Sequence, residues 1–410
     1  MTGSGMAIRS GAQILALAEL FDVSVAVTTE LSVAEAEATI PPEIRAASAS
    51  LTIVSAQSAM VRRLGRARTA QQRLLIQALA PLPLMHARAG AGLAALAEAI
   101  AAAHAARRFD VLHCFRVATA PIEGLLRRRG FSWTRAVLDI DDNESFAKRR
   151  TVRDLRMVLG GQASVAGWLE VFKLRRIERR MIPRFQDAFV CSREDQSRMR
   201  ARFPAVNWFV VPNVVFEPPL FVRQRNPVFT MLFVGTLDYG PNSDGLAFFV
   251  REVRALLRDA AEAPYRLIIA GRNPGPQVRA FAELEEVTLV ADPPALTPLY
   301  AQADAAIVPI RFGAGTRVKL LEAFSYGVPA VSTELGAEGL ELEPETDLLI
   351  ANDALSFAAA CARLIDDRVL RDRLAVRARQ LFRERFSLDQ LRQTLSQVFT
   401  RPSGERETLH

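Results

Sequence analysis

Apolar and polar positions alternate in two different rhythms along this chain. Continuous β-branched and aromatic runs occur at 22–28 (DVSVAVT), 51–54 (LTIV), 109–114 (FDVLHC), 135–140 (RAVLDI), 187–191 (DAFVC) and 207–211 (NWFVV). A second series follows at 229–235 (FTMLFVG), 265–271 (YRLIIAG), 286–290 (EVTLV), 305–310 (AAIVPI) and 329–333 (PAVST). Consecutive apolar positions suit strands covered on both faces, and helix-period segments lie between the runs. That rhythm predicts parallel βαβ units in doubly wound sheets. Between the two series, PNVVFEPPLFVRQRNP (212–227) carries proline turn signals and no period, so it predicts a linker. Two Rossmann-like α/β domains facing a cleft follow from the pattern.

Ligands of open α/β sheets sit at the carboxyl ends of strands. The run 305–310 leads into RFGAGTRVKLLEAFSYGVPAVST (311–333), where Gly313, Gly315 and Thr316 precede a predicted helix. Glycines let backbone amides approach an anion, and a helix amino terminus adds partial positive charge. Arg317 and Lys319 in the first turn oppose the helix dipole, so a negative ligand such as a diphosphate would account for them. At 100° per residue, Lys319, Glu322 and Tyr326 share one face, with Leu320, Leu321 and Phe324 opposite, toward the core. A carboxylate at 322 can accept from both hydroxyls of a sugar diol. The plainer alternative is an i,i+3 Lys319–Glu322 pair on a wet face. No G-x-x-x-x-G-K-[ST] is present, which argues against nucleotide hydrolysis.

At 410 residues the chain is too long for one ordinary core, in keeping with two domains. Charge divides unevenly: residues 1–220 hold 30 Lys and Arg against 20 Asp and Glu, whereas the remainder is slightly acidic. Such a basic half attracts nucleic acid, anionic lipid or phosphorylated substrates. No nucleic-acid module accompanies it, so nucleic acid is not expected as a partner. Three scattered cysteines, Cys114, Cys191 and Cys361, fit neither a disulfide framework nor a zinc site and point to a reducing cytoplasm. The amino-terminal stretch lacks a charged n-region, so no signal peptide is expected. The alanine-rich run 89–106 contains Glu98 and His104 and reads as an amphipathic surface helix.

Several stretches together resemble glycosyltransferase family 4, of the bacterial exopolysaccharide type. They are FVGTLDYGPNSDGLAFFVREV (233–253), LIIAGRNP (267–274), YAQADAAIVPIRFGAGTRVKLLEAFSYGVPAVST (300–333) and GAEGL (336–340). Looser echoes are FDVLHCFR (109–116), VLDIDDNES (137–145) and VCSREDQSRM (190–199). The resemblance implies the GT-B fold, with an acceptor-side domain at 1–212, a linker at 213–227 and a nucleotide-sugar domain at 228–386. A helix within 387–410 would cross back to the first domain. It further implies sugar transfer, with retention and no cofactor or metal, from a nucleoside-diphosphate sugar to a glycan or lipid-linked acceptor. Glu322 matches the second glutamate of the family's E-x7-E element, which holds the donor ribose. Arg317 and Lys319 then lie near the diphosphate, Gly313, Gly315 and Thr316 offer amides, and Gly235, Asn242, Arg272 and Gly5 complete the implied donor site.

Three positions depart from the family pattern. Ala314 stands where the first glutamate of E-x7-E would be. The usual Arg/Lys pair is missing from GTLDYGPNSDG (235–245), where Asn242 and Asp244 stand instead. Members normally begin with a strand leading into a glycine loop, whereas TGSGMAIRSG (2–11) reads as the loop itself, so a start assigned too late is expected.

For the chemistry, His113 matches a family histidine at a strand end, and Asp139, Asp141 and Asp142 cluster at another. Acceptor orientation, proton acceptance by Asp141, metal binding and a plain helix cap compete for the acidic cluster. FAKRRTVRDLRMVL (146–159) and FKLRRIERRMIPRF (172–185) interleave cations with apolar residues, as arginine-coated helices or as an anionic membrane surface partner at the inner membrane would require. Two rivals remain open: a GT-B nucleotide-sugar epimerase and a non-catalytic nucleotide-sugar-binding protein.

Overall fold

A computed structural model describes residues 5–67, 69, 72, 76, 79–141, 143–159, 162–224, 226–313 and 318–400. The chain divides into two compact units, one comprising Ser10–Pro212 with Leu391 onward, the other Asn213–Gln390 with the residues up to Arg9. Both units are α/β with parallel sheets.

In the second unit six parallel strands lie in the order β12-β11-β10-β7-β8-β9. They are β7 (Phe229–Thr236), β8 (Tyr265–Arg272), β9 (Val287–Ala291), β10 (Ala305–Val308), β11 (Ala330–Ser332) and β12 (Leu349–Ile350). Strands β10 and β11 are buried at every position, as consecutive apolar residues require when helices cover both faces. One core lies on each side: Phe233, Phe249, Phe357 and Leu374 belong to the first, and Leu232, Leu320, Phe324 and Phe382 to the second. Strand β10 ends at Val308, earlier than the run 305–310 predicts, because Pro309 has no N–H for the ladder. The two-residue β12 is too short to leave a periodic signal. Residues 213–224 have no regular structure yet pack on this unit: Val215 N–H donates to Phe386 O at 3.1 Å and Gln224 N–H to Ala301 O at 2.8 Å.

The first unit holds two separate parallel sheets. One pairs β1 (Ser24–Thr29) with β2 (Ser50–Ser55); the other runs β3 (Arg108–Phe115), β4 (Ser132–Asp139), β5 (Asp187–Val190), β6 (Asn207–Val210). Among the described residues no strand pairs with the second edge of β1 or of β3. The helix Leu93–Ala103, from the alanine-rich run, buries Leu93, Leu96, Ala97 and Ile100 in the same core as Cys114 and Leu138. Cys114, Cys191 and Cys361 are buried and form no disulfide.

The glycine loop expected over 2–11 is corrected: from Gly5 the chain is already helical, Gly5–Leu17. Ile8, Ala12 and Ala16 recur at four-residue intervals and are buried, so the apolar period outweighs the low helix propensity of the glycines. No described helix is long and apolar enough to cross a membrane.

Candidate functional site

Three strand ends of the second unit converge through glycines. A Cβ at Gly271 (φ 153°), near the end of β8, would collide with the Gly235 carbonyl oxygen at the end of β7. A Cβ at Gly235 would in turn collide with Lys319 Nζ and lie 2.9 Å from Asn242 Nδ2. Beyond β10, Gly313 (φ 104°) has room for a Cβ only 3.0 Å from Pro241, and a Cβ at Gly245 would stand 2.5 Å from Pro309 O. The missing side chains therefore let β7, β8, the helix Gly240–Phe248 and the 309–313 loop press together.

Polar contacts hold this corner. Lys319 Nζ donates to Val234 O at 2.9 Å and lies 5.2 Å from the Phe233 ring centroid. Asn242 Nδ2 donates to Thr236 O at 2.7 Å. Arg311 forks onto Asp244 with bonds of 3.0 and 2.8 Å, and its guanidinium lies over the Phe248 ring. That fork and the charges of Asp244 and Glu252 raise the Arg311 pKa. At the end of β11, Thr333 caps the helix Glu334–Ala337 and its hydroxyl donates to Ile310 O.

The helix Val318–Ser325 turns Leu320, Leu321 and Phe324 into the core and leaves Lys319 and Glu322 half-buried. Glu322 keeps some exposed surface, yet its carboxyl is desolvated: burial pushes its pKa up to about 7, and the Lys319 charge pulls it back down. Lys319 and Glu322 thus interact on a half-buried face. Tyr326 stacks on Tyr300 with ring centroids 4.4 Å apart, and its hydroxyl bonds Thr297 at 2.9 Å. Burial raises both phenol pKa values, and the Glu322 charge adds to it.

Of the sequence-derived donor residues, the fold gathers Gly235, Asn242, Gly313, Lys319 and Glu322 within one unit. Gly315, Thr316 and Arg317, with Ala314, lie outside the described residues. Arg272 is exposed at the end of β8, where its carbonyl accepts from Leu237 N–H at 2.8 Å. Gly5 opens the first helix and so is not the loop residue it was taken to be. The Arg311–Asp244 fork and the Tyr300–Tyr326 wall were not singled out from sequence. Both join residues far apart in the chain, so only the aromatic and charge content of the motif hinted at them.

The acceptor-side candidates belong to the first unit. His113 stands on β3, two residues before its end, with its ring edge-to-face on Phe189 at 5.6 Å. Asp141 is buried with φ 56°; its N–H donates to Asp139 Oδ1 at 2.8 Å, and the Cys191 thiol donates to its carbonyl at 3.0 Å. The helix cap comes from Asn143, whose Oδ1 accepts from Phe146 N–H at 3.2 Å, so that competing role for Asp141 falls away; Asp142 lies outside the described residues. Beside them, Glu144 joins His86 (2.7 Å) and Arg116 (3.2 Å), and those partners lower its pKa against the opposing effect of burial. Among the described residues no group of three His, Cys, Asp or Glu is placed to hold a metal ion.

Parallel sheets in two units, with a glycine-lined corner at strand ends, define an open α/β protein of the class whose ligands sit at strand carboxyl ends. Residues 228–367 match the family Glycosyl transferases group 1. No curated protein matches the chain. Among solved structures, Anabaena HepE in complex with UDP and glucose is similar at TM-score 0.60 and 12% identity, over 97% of this chain and 96% of that one. Sucrose-phosphate synthase from Thermosynechococcus elongatus gives TM-score 0.59 at 16% identity over 85% and 82%. A glycosyltransferase from Rickettsia africae gives 0.58 at 11% over 97% and 95%. The match places a group 1 glycosyltransferase domain at residues 228–367, and the structural likenesses establish the GT-B fold.

Proposed function

We propose that the enzyme moves a sugar, with retained anomeric configuration, from a nucleoside-diphosphate sugar to a polysaccharide or lipid-linked acceptor in the cytoplasm. The observation that carries the donor site is the desolvated Glu322 beside Lys319, at a corner lined by Gly235, Asn242 and Gly313. An ionised Glu322 accepts from both hydroxyls of the pentose, and these bonds offset the cost of its desolvation. Lys319, whose ammonium donates to Val234 O, sets its positive charge beside the diphosphate, and Arg317 adds a fork. Their positive charge favours departure of the nucleoside diphosphate as negative charge gathers on it. Asp141 or His113, at strand ends of the first unit, receives the acceptor hydroxyl.

Since HepE was solved with UDP, a uridine donor is the first to test. Calorimetry should show UDP binding that Glu322→Ala and Lys319→Ala each weaken by about 100-fold, the loss of two charge-assisted bonds. Unchanged affinity in both variants would remove this site assignment. Binding with neither hydrolysis nor transfer would instead mark a non-catalytic binder, and conversion of donor without acceptor an epimerase.

A further inference from the structure

The helices Glu144–Leu159 and Gln162–Met181 form an antiparallel pair in the first unit, and the second of them has two apolar faces. The inner one is occupied. A Cβ at Gly167 would lie 2.5 Å from Val152 of the first helix, and Val171, Leu174 and Glu178 follow at helical spacing, all buried. The outer one is open: Val165 is 66% exposed, Trp168 41%, Leu169 41% and Phe172 64%. Positions 165, 168, 169 and 172 repeat at i, i+3, i+4 and i+7, which is one continuous stripe. Soluble helices turn such a stripe inward, and a contiguous exposed one marks a docking surface.

Charge identifies the occupant. Carried on at 100° per residue, the same stripe meets Arg176, Arg179 and Arg180, all exposed, and the neighbouring helix exposes Arg149 and Arg153. The open face is thus apolar toward its amino-terminal end and arginine-rich toward its carboxyl end. Residues 165–172 rise about 10 Å along the axis. That is about two turns of apolar face, and such a face lying in the plane of a bilayer enters the headgroup boundary by roughly 5–10 Å. Trp168 and Phe172 are residue types favoured at that boundary, and the arginines then sit at the phosphate level. A second copy is a poor occupant, because a two-fold contact would set this arginine cluster against itself.

We infer that the outer face of helix Gln162–Met181 docks on an anionic lipid surface, with Val165, Trp168, Leu169 and Phe172 inserted and Arg176, Arg179 and Arg180 on headgroup phosphates. This goes beyond the donor site and stands whether or not that assignment holds.

The full chain is mixed with vesicles of phosphatidylcholine alone or with phosphatidylglycerol, and sedimentation and tryptophan emission are read. Trp208 is buried and Trp133 is half-buried beneath Arg127, so a blue shift that Trp168→Phe abolishes reports this face. The expected result is co-sedimentation and a blue shift with phosphatidylglycerol only, weakening as salt rises. Phe172→Glu should lower partitioning at least tenfold, and Arg176→Gln/Arg179→Gln/Arg180→Gln should lower it and remove the salt dependence. Unchanged circular dichroism and thermal unfolding in both variants show that they still fold. Absence of binding to phosphatidylglycerol vesicles would overturn the inference. So would a dimer that Phe172→Glu dissolves while vesicle binding persists.

Discussion

The sheets of the two units are finished differently. In the second unit a six-stranded sheet runs unbroken, and β8, β10 and β11 are buried almost throughout. In the first unit the strands divide two and four, and neither β1 nor β2 has a fully buried residue despite sequences as apolar as SVAVTT and SLTIVS. The strand ends differ as well. Those of the second unit are shaped by glycines that bring backbone against backbone. Side-chain-bearing residues at positive φ occur at strand ends of both units, Arg116 (70°) and Asp141 (56°) in the first and Asn273 (55°) and Asp292 (47°) in the second, so the glycines alone set the second apart. On the reading proposed above, the bare backbone of the second unit would serve a polyanionic donor.

The largest effect should come from filling the glycine corner. In Gly271→Ala the new methyl meets the Gly235 carbonyl, backbone on both sides, at a φ that L-residues rarely adopt. We expect a loss of about 3 kcal/mol or more in urea unfolding, from overpacking and backbone strain together. Gly275→Ala, with open space around it, is the matched control and should change little. Equal stability of the two variants would dissolve the claimed contrast between the strand ends.

How much of this could be read in advance follows the same division. The strands of the second unit were legible because continuous apolar runs between glycine and proline boundaries have few other readings. The faces of the Val318–Ser325 helix also followed from period alone, with Leu320, Leu321 and Phe324 buried as their spacing requires. Illegible were features that depend on distant partners: the Arg311 fork onto Asp244, the Tyr300–Tyr326 stack, and the desolvation of Glu322. The amino terminus misled because Gly3, Gly5 and Gly11 advertise a loop while Ile8, Ala12 and Ala16 build a helix. The exposed stripe 165–172 was half visible, since composition shows its apolar and basic content but cannot say which helical face is already packed.

A smaller effect tests the donor half by pH. Burial raises the Glu322 pKa to about 7, so the folded protein holds this proton more tightly than the unfolded chain does. This contribution to stability is therefore present at low pH and is lost as pH rises from the ordinary glutamate range through about 7. Donor binding has the opposite sign, because a pentose diol needs the ionised form. UDP affinity should rise about tenfold between about pH 6 and about pH 8, the span over which a group of this pKa ionises. Glu322→Gln should flatten both profiles, measured by calorimetry and by thermal unfolding across that range. A wild-type profile indistinguishable from the variant's would place the titrating group elsewhere.

The smallest change in stability, and the sharpest test of the acceptor half, is Asp141→Gly. Glycine adopts φ 56° without penalty, and the bonds from the residue's N–H to Asp139 and from the Cys191 thiol to its carbonyl use backbone atoms that survive. The substitution removes the carboxylate, and its 3.5 Å contact to the Cys191 sulfur is among the interactions lost. Stability should stay within about 1 kcal/mol of wild type, relief of a left-handed side chain balancing the lost contact and the freer unfolded chain. UDP affinity should not move, since every proposed donor contact lies in the other unit. Acceptor-dependent transfer should fall by about 100-fold or more if this carboxylate takes the hydroxyl proton. Asp139→Ala is no substitute, because Asp139 is wholly buried and holds both Gln13 and the 141 turn, so its loss unfolds the strand end. Transfer that survives Asp141→Gly intact would make Asp141 a turn residue, and His113→Ala would then decide whether the first unit supplies any catalytic group.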